Sequence, residues 1–258
     1  MSIKGRIKNS LLKFLLSVGP KELPAASILL YHNVGRDGAY LTVTPENFAA
    51  QIDFLFKNEY NIISLHDLAD NLAHGRPVKP KTVVLTFDDG FTGVYDFVFP
   101  ILRERHIPAT FFIATDLAGK SLRLSSGHNL SVMGWEQIWE IGSTPRLEIA
   151  PHSLSHRELS SLTYDKIVEE IQKSRSVLEE KLGRRSDFFA YPRGKWTPDA
   201  VKILRDKDFS AAVTVCQGLV TKGGNPYLLA RNTIDSSVSD LKLFEARLGW
   251  AIKIFGLL

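Results

Sequence analysis

The 258-residue chain has one cysteine, Cys216, and no uninterrupted apolar segment of the length, about 18 residues, that a membrane-spanning helix needs. A single cysteine excludes an intrachain disulfide and favours a reducing compartment. Because Cys216 ends an apolar run, we expect a buried thiol. The net charge is only +4, and no arginine-rich, aromatic-interleaved stretch is present, so no nucleic-acid partner is expected.

The two ends of the chain are amphipathic. Residues 1–24 place Lys4, Arg6 and Lys8 before a leucine-rich stretch, which predicts a basic arm that rests on anionic lipid or packs on the protein. Lys13 interrupts that stretch and no small-residue cleavage site follows closely, so a signal peptide is disfavoured. We therefore expect a cytoplasmic protein, with peripheral membrane contact, rather than a secreted one. Residues 241–258 predict an amphipathic helix that could pair with the arm.

Residues 25–240 predict one α/β domain, because apolar strand-like runs alternate with helical patterns and no linker interrupts them. About seven such units favour a distorted (β/α) barrel, with an open doubly wound sheet as the alternative. In both architectures ligands bind at the carboxyl ends of the strands.

Within the stretch from Lys81 to Gly90, an apolar, strand-like run from Val83 to Phe87 ends abruptly at Asp88, Asp89 and Gly90. Adjacent carboxylates raise each other's proton affinity unless a cation or donor intervenes. One acid can therefore bind a metal ion while its neighbour acts as a base, provided that their environments differ. The alternative is structural, since Asp-Asp-Gly also suits a turn or a helix cap.

Polar residues also follow three other predicted strands. His32 follows the first, His152 and His156 (in HSLSH) follow another, and residues 191–194 follow a third. Two histidines and a carboxylate, with one position left for water, form the ligand set of a catalytic zinc-type site. The alternative for the two nearby histidines is a surface pair that caps a turn.

Three motifs in this order resemble the NodB-homology polysaccharide deacetylases, a family of carbohydrate esterases: TFDDG at 86–90, HSLSH at 152–156 and FFAYPRG at 188–194. The likeness covers residues 27–234. It implies a distorted (β/α) barrel with fewer than eight regular strands. It also implies metal-dependent hydrolysis of N-acetyl groups, usually on N-acetylglucosamine units.

The resemblance assigns roles to individual positions. Asp89, His152 and His156 match the ligands of one divalent metal ion, and Asp88 matches the general base. Zinc suits these donors, and cobalt, nickel and manganese are alternatives. Arg193 matches the position whose backbone N–H holds the oxyanion.

The sequence departs from the family pattern at two places. Ala190 stands where the motif has an arginine that braces the base, and Arg231 is the candidate replacement from a neighbouring strand. No histidine follows His156, although the family's acid lies near the end of the domain. A closed barrel places its first and last strands side by side, so His32 could fill that role. This resembles permuted deacetylases that act on biofilm poly-N-acetylglucosamine; the alternative for His32 is a core histidine.

The predicted function is removal of N-acetyl groups from a polysaccharide, an oligosaccharide or a lipid-linked sugar. Substrate contacts are predicted at Tyr191, Pro192, Trp196 and Arg231, with Trp196 as a stacking surface. The alternatives are a deformylase or other amidohydrolase with the same metal site, and a catalytically silent glycan-binding protein. The oligomeric state is left open.

Overall fold

A computed structural model describes residues 23–249. The predicted N-terminal arm, apart from its last two residues, lies outside these residues, as does the predicted C-terminal helix beyond Gly249. Between residues 23 and 249, no helix combines the length and the apolar character that crossing a membrane requires.

Short strands alternate with helices along the described chain. The strands are β1 (Ala25–Tyr31), β2 (Asn33–Val34), β3 (Thr42–Val43), β4 (Asn61–Ile62), β5 (Thr82–Phe87), β6 (Ala109–Ile113), β7 (Ser121–Arg123), β8 (Asn129–Ser131), β9 (Leu147–Pro151), β10 (Phe188–Ala190), β11 (Ala211–Val213), β12 (Val220–Thr221) and β13 (Asn232–Thr233). The helices are α1 (Pro45–Lys57), α2 (Leu65–Ala73), α3 (Phe99–Glu104), α4 (Trp135–Ser143), α5 (Tyr164–Leu182), α6 (Pro198–Asp206) and α7 (Leu241–Leu248).

Parallel strands form most of a distorted barrel, which confirms the predicted fold class. β1 pairs with β5 on one side and with β13 on the other, β5 pairs with β6, and β6 pairs with β9. β10 pairs with β11, and Val213 bridges to Leu229, two residues before Arg231 and β13. The first and last strands are therefore neighbours, as a closed barrel requires.

The barrel has a seam between β9 and β10, which share no backbone ladder among the described strands. Side chains cross it instead, and Arg184 Nη2 donates to the Leu147 carbonyl of β9 over 3.2 Å. The Ser186 hydroxyl donates to the Ile149 carbonyl over 3.2 Å, and His152 Nδ1 lies 2.9 Å from the Ala190 carbonyl oxygen. Side-chain hydrogen bonds thus replace the missing ladder.

Alternation along the strands separates the inside of the barrel from its outer face. Ile28, Val84 and Phe112 belong to an inner apolar cluster with Leu65 and Leu68 of α2. The alternate strand residues pack outwards, where the larger cluster includes α1, α4 and α7 residues and another includes α5 and α6 residues. This pattern follows from the two-residue period of a strand.

Helix boundaries follow capping signals in the sequence. The Thr44 side chain accepts from the Asn47 amide, with Pro45 at the first position of α1. Ser64 and Asp67 form a capping box at the start of α2. α5 ends at Gly183, which has a left-handed backbone (φ 67°).

Four local features could not be predicted from the sequence. Residues 116–133 contain the β7–β8 hairpin. The helical segment that ends in α3 begins with a π-helical turn at Val94–Val98. The last strand, β13, has only two residues, Asn232–Thr233. Cys216 is exposed rather than buried, because β11 ends at Val213 and the chain then leaves the barrel.

Candidate metal centre and active-site pocket

Two consecutive left-handed residues turn the chain after β5. Asp88 N–H still donates to the Tyr31 carbonyl over 2.9 Å, which continues the β1–β5 ladder. Asp89 and Gly90 then have φ values of 67° and 70°. The left-handed backbone favours glycine at position 90, where a Cβ would also meet the flexible end of Ile113, Cδ1, at 2.7 Å. The turn leaves both carboxylates buried at the end of the barrel.

The two histidines lie on a tight loop after β9. His152 N–H donates to the Ile113 carbonyl over 2.8 Å, which fixes the start of the loop. Ser153 and His156 both have left-handed backbones, with φ values of 62° and 61°. The Ser153 hydroxyl accepts from His156 N–H over 3.0 Å, and the two imidazole centroids lie 5.0 Å apart.

Asp89, His152 and His156 converge on one point. Their ligand atoms all lie within 4.8 Å of one another. Asp89 Oδ1 is 3.1 Å from His156 Nε2 and 3.5 Å from His152 Nε2. Neither contact has hydrogen-bond geometry, so among the described residues Oδ1 is a buried acceptor without a donor. A carboxylate and two imidazoles that face a common point fit one divalent cation.

The protonation states of His152 and Asp89 suit a cation site. Burial lowers the pKa of His152 to about 4, so its imidazole is neutral at pH 7. With Nδ1–H donated to Ala190, the lone pair of Nε2 faces the site. Burial alone would raise the pKa of Asp89, but its contact with His156 holds that pKa well below its usual range. Asp89 is therefore ionised.

Asp88 has a separate environment. Arg231 Nη1 and Nη2 donate to its two carboxylate oxygens over 2.7 and 2.6 Å, and the Arg231 side chain is fully enclosed. Arg231 also donates to the Thr214 carbonyl and the Thr86 hydroxyl. Burial alone would raise the pKa of Asp88, but the charge and the hydrogen bonds of Arg231 outweigh it and hold the pKa below its usual value. The structure thus places Arg231 where a brace for Asp88 would act.

His32 and Arg193 line the same cavity as the two aspartates and the two histidines, and the cavity volume is about 270 Å³. His32 directly follows β1, and its buried Nδ1 has no hydrogen-bond partner in the part of the chain described. Arg193 has a left-handed backbone (φ 54°), and its exposed side chain lies 3.6 Å from Glu158. The side chain of Arg193 is therefore directed to the rim.

None of the four predicted substrate residues lines this cavity. Tyr191 is fully buried, packs beside Phe189 and donates its hydroxyl to the Tyr227 carbonyl over 3.1 Å. Pro192 is buried, and Trp196 is 40% exposed outside the cavity lining. Arg231 contacts Asp88 rather than the cavity. These four residues thus lie outside the cavity lining, and their contact with a substrate stays a prediction.

Sequence reasoning missed one wall of the cavity. It consists of residues from the turn after β2 and from the β7–β8 hairpin, together with Val215: Tyr40, Leu41, Leu122, Arg123, Leu124, Ser125 and Val215. The Ser126–Gly127 pair was the available signal, because Gly127 has a left-handed backbone (φ 88°) in the loop that joins β7 and β8.

Comparison with known proteins identifies the family. The sequence profile of polysaccharide deacetylases matches residues 75–212, more than half of the chain. The chain belongs to the polysaccharide deacetylase family. It is therefore a hydrolase of amide carbon–nitrogen bonds, and the reaction class of the family is deacetylation of a polysaccharide.

Relatives extend the likeness beyond the profile. The poly-β-1,6-N-acetyl-D-glucosamine N-deacetylase of Staphylococcus epidermidis is 24% identical over 212 residues, which cover 79% of this chain and 72% of that protein. The structure of IcaB from Ammonifex degensii superposes with a TM-score of 0.76 at 27% identity, covering 86% of this chain and 97% of that one. A Streptococcus pyogenes deacetylase, PplD in complex with acetate, has the same fold, with a TM-score of 0.76 at 22% identity over 87% of this chain and 99% of that one.

Proposed function

We propose that this deacetylase uses one divalent metal ion to remove the N-acetyl group from N-acetylglucosamine-type units of a glycan. The observation that carries the proposal is the convergence of Asp89, His152 and His156 beside a second carboxylate, Asp88, which Arg231 holds apart. One acid is then free for proton transfer while the other binds the ion.

Each residue of the proposed site has a distinct role in this mechanism. An ion held by the three ligands would polarise the acyl carbonyl and make a water molecule more acidic. Asp88 accepts the proton of the attacking water, and its bidentate pair with Arg231 fixes the carboxylate orientation. The neutral His152 imidazole supplies Nε2 as a ligand, because its Nδ1 lies at hydrogen-bond distance from the Ala190 carbonyl.

Two further groups act on the reacting amide. The backbone N–H of Arg193 stabilises the oxyanion that forms when the carbonyl carbon is attacked. His32, in its protonated form, donates a proton to the departing nitrogen, so that the carbon–nitrogen bond breaks to give acetate and an amine. The role of His32 as the acid is supported by its position, because it lines the same cavity as Asp88.

The substrate proposal rests on the relatives and on the size of the cavity. Two matched proteins bear the names poly-β-1,6-N-acetyl-D-glucosamine N-deacetylase and IcaB. A cavity of about 270 Å³ is below the usual range of about 300–1,000 Å³ for drug-sized ligands, which suits one sugar unit with its acyl group. Zinc is the first metal to test, because two histidines and a carboxylate suit it.

The test is acetate release from N-acetylglucosamine oligosaccharides of defined linkage. The chain is stripped with a chelator and reloaded with zinc, cobalt, nickel or manganese, and Asp88→Asn is assayed beside it. We expect release only from metal-loaded parent protein. Release that is equal with and without metal would contradict the metal proposal, and release of formate alone would favour a deformylase. Glycan binding without any release would favour a silent binding protein.

We also propose that the protein is cytoplasmic and that its N-terminal arm contacts anionic lipid at the membrane surface. A cytoplasmic location would favour a precursor or lipid-linked sugar over an extracellular polymer as the substrate. Fractionation of cells that express the full chain, followed by a salt wash of the membrane fraction, tests both statements.

A further inference from the structure

Glu170 is a buried carboxylate outside the proposed ligand set. It lies on α5, and only 6% of the residue is exposed. Its neighbour Glu169 has the opposite environment, since it contacts Lys166 and Lys173 over 2.7 and 2.6 Å at the surface. A buried carboxylate is costly unless its oxygens accept hydrogen bonds, so the partners of Glu170 indicate what it does.

All three hydrogen-bond partners of the Glu170 side chain lie in the loop between the two histidines. Oε2 accepts from the backbone N–H groups of Leu154 and Ser155 over 3.0 and 2.9 Å. Oε1 accepts from the Ser155 hydroxyl over 2.5 Å. In the described part of the chain, no lysine, arginine or histidine nitrogen lies within 4.0 Å of this carboxylate. The loop itself therefore stabilises the charge.

The opposite side of the loop is also fixed. The carbonyl groups of Ser153 and Leu154 accept from the backbone N–H groups of Thr115 and Asp116 over 3.4 and 2.8 Å. Glu170 therefore bonds the N–H groups of the loop while the end of β6 bonds its carbonyls.

The loop needs this support because Ser153 and His156 are held in left-handed conformations. Such a conformation costs a non-glycine residue about 1 kcal/mol or more, and it persists only where the surroundings impose it. Without the bonds to Leu154 and Ser155, the loop would relax and the His156 imidazole would leave the common point.

We propose that Glu170 is a positioning residue that holds the His152–His156 loop in the conformation that binds the metal ion. The inference rests on the proposed metal site. Removing a residue that hydrogen-bonds a metal ligand typically changes the metal affinity about 10–100-fold. Glu170 contacts no ligand side chain and acts through the backbone of the loop that carries both histidines.

The chemistry of glutamine makes a graded test possible. In Glu170→Gln the amide oxygen can still accept both backbone N–H groups, and the NH₂ group can donate to the Ser155 oxygen. Glu170→Ala removes all three acceptors. Glu169→Ala is the matched control, because it removes a carboxylate from the next position of the same helix with the same change in helix propensity.

The experiment measures two quantities for the parent and the three variants. The first is the Kd for zinc, from chelator competition. The second is hydrogen exchange of the loop peptide at residues 153–156 in metal-free protein. We expect Glu170→Ala to raise the Kd about 10–100-fold and to accelerate loop exchange. Glu170→Gln should have a smaller effect on both, and Glu169→Ala should leave both unchanged.

Each outcome decides one point. If Glu170→Ala binds zinc as the parent does and exchanges no faster, the inference is overturned, even if its Tm falls. If Glu169→Ala has the same effect as Glu170→Ala, general loosening of α5 explains the result and the inference also fails. If the parent binds no zinc, nickel, cobalt or manganese, the proposed metal function fails, and loop exchange alone then decides whether Glu170 holds the loop.

Discussion

Arg231 and Asp88 form a bidentate ion pair, with contacts of 2.7 and 2.6 Å, although 143 positions separate them in the sequence. Both side chains are almost fully enclosed, at 0% and 2% exposure. The pair joins the segment before β13 to the end of β5, on opposite sides of β1. The orientation of the carboxylate that we assign as the base is therefore set from the segment that leads into the last strand of the barrel.

Replacement of Arg231 should damage both stability and catalysis. Arg231→Met leaves Asp88 buried without its partner, and breaking a buried pair in this way typically costs about 3–5 kcal/mol of unfolding free energy. Urea unfolding and kcat/KM for acetate release measure the two effects. Adding Asp88→Asn to Arg231→Met should restore part of the lost stability but none of the activity, because the unpaired charge is removed together with the base.

A second arginine serves as the control for this pair. Arg175 is 12% exposed and contacts Glu179 and Asp187 on the outer face of the barrel. Arg175→Met should lower stability less than Arg231→Met does and leave kcat/KM unchanged. An equal loss of activity in both variants would show that the Arg231 effect is general destabilisation.

The two adjacent aspartates should respond differently to the same substitution. Asp89→Asn replaces a proposed ligand, so metal content measured by elemental analysis should fall. Asp88→Asn should keep its metal, because Asp88 is outside the ligand set, while kcat falls by about 10²–10⁴, the usual contribution of a general base. Loss of metal in both variants, or in neither, would contradict this division of roles.

Gly194 should tolerate no side chain. A Cβ at this position would lie 2.4 Å from Val215 Cγ2 and 2.7 Å from Val215 N. Gly183 has the same φ of 67° with nothing within 4 Å of such a Cβ. Gly183→Ala should therefore lower the unfolding free energy by only about 1 kcal/mol, because alanine is strained in a left-handed backbone. Gly194→Ala should lower it by about 1–3 kcal/mol more, because the new methyl group overpacks against Val215.

The same pair of variants tests the role of the Arg193 amide. Gly194→Ala should also lower kcat, because Arg193 precedes this glycine and Val215 lines the cavity. Gly183→Ala should not change kcat. Thermal unfolding and acetate release measured on both variants check the prediction, and equal stability losses would refute the steric argument.

Glu148 should make stability depend on pH near neutrality. Burial raises the pKa of its carboxyl from 4.5 to about 7, in spite of a hydrogen bond from Thr110 and the charge of Arg184. The folded protein therefore binds this proton more tightly than the unfolded chain does. The contribution of Glu148 to stability is full below about pH 4.5 and is lost as pH rises towards 7.

Glu148→Gln removes this dependence while keeping an acceptor for Thr110. At about 1.4 kcal/mol per pKa unit, we expect the variant to be more stable than the parent by about 3 kcal/mol at pH 8, with the difference shrinking towards pH 4.5. Unfolding free energies measured at several pH values check this. Glu180→Gln, at a position with 78% side-chain exposure, is the control and should show no such trend.

The sequence predicted the barrel and the meeting of the polar strand ends because both depend on local patterns. Apolar runs that stop at Asp88 and His152 mark strand ends, and parallel strands bring those ends to one edge. In α5 the buried apolar residues Ile167, Ile171 and Leu178 likewise follow the spacing of one helix face. The neighbouring positions of β1 and β13 followed from closure alone.

What the sequence did not reveal depends on contacts between distant segments. Glu169 and Glu170 are indistinguishable as neighbouring acids on an amphipathic helix, and only the loop that packs on α5 buries one of them. β7 and β8 are three residues each, too short for a periodic pattern. Tyr191 looked like a site residue because it adjoins Pro192, but the alternation of β10 directs it to the outer face.

The seam between β9 and β10 places a double demand on His152. Its Nδ1 lies at hydrogen-bond distance from a carbonyl of β10, and its Nε2 faces the proposed ion. The same imidazole therefore connects two strands and offers a ligand atom. A substitution of His152 would consequently affect both the stability of the fold and the catalytic activity. Reduced activity in such a mutant would therefore not reveal by itself which of the two had failed.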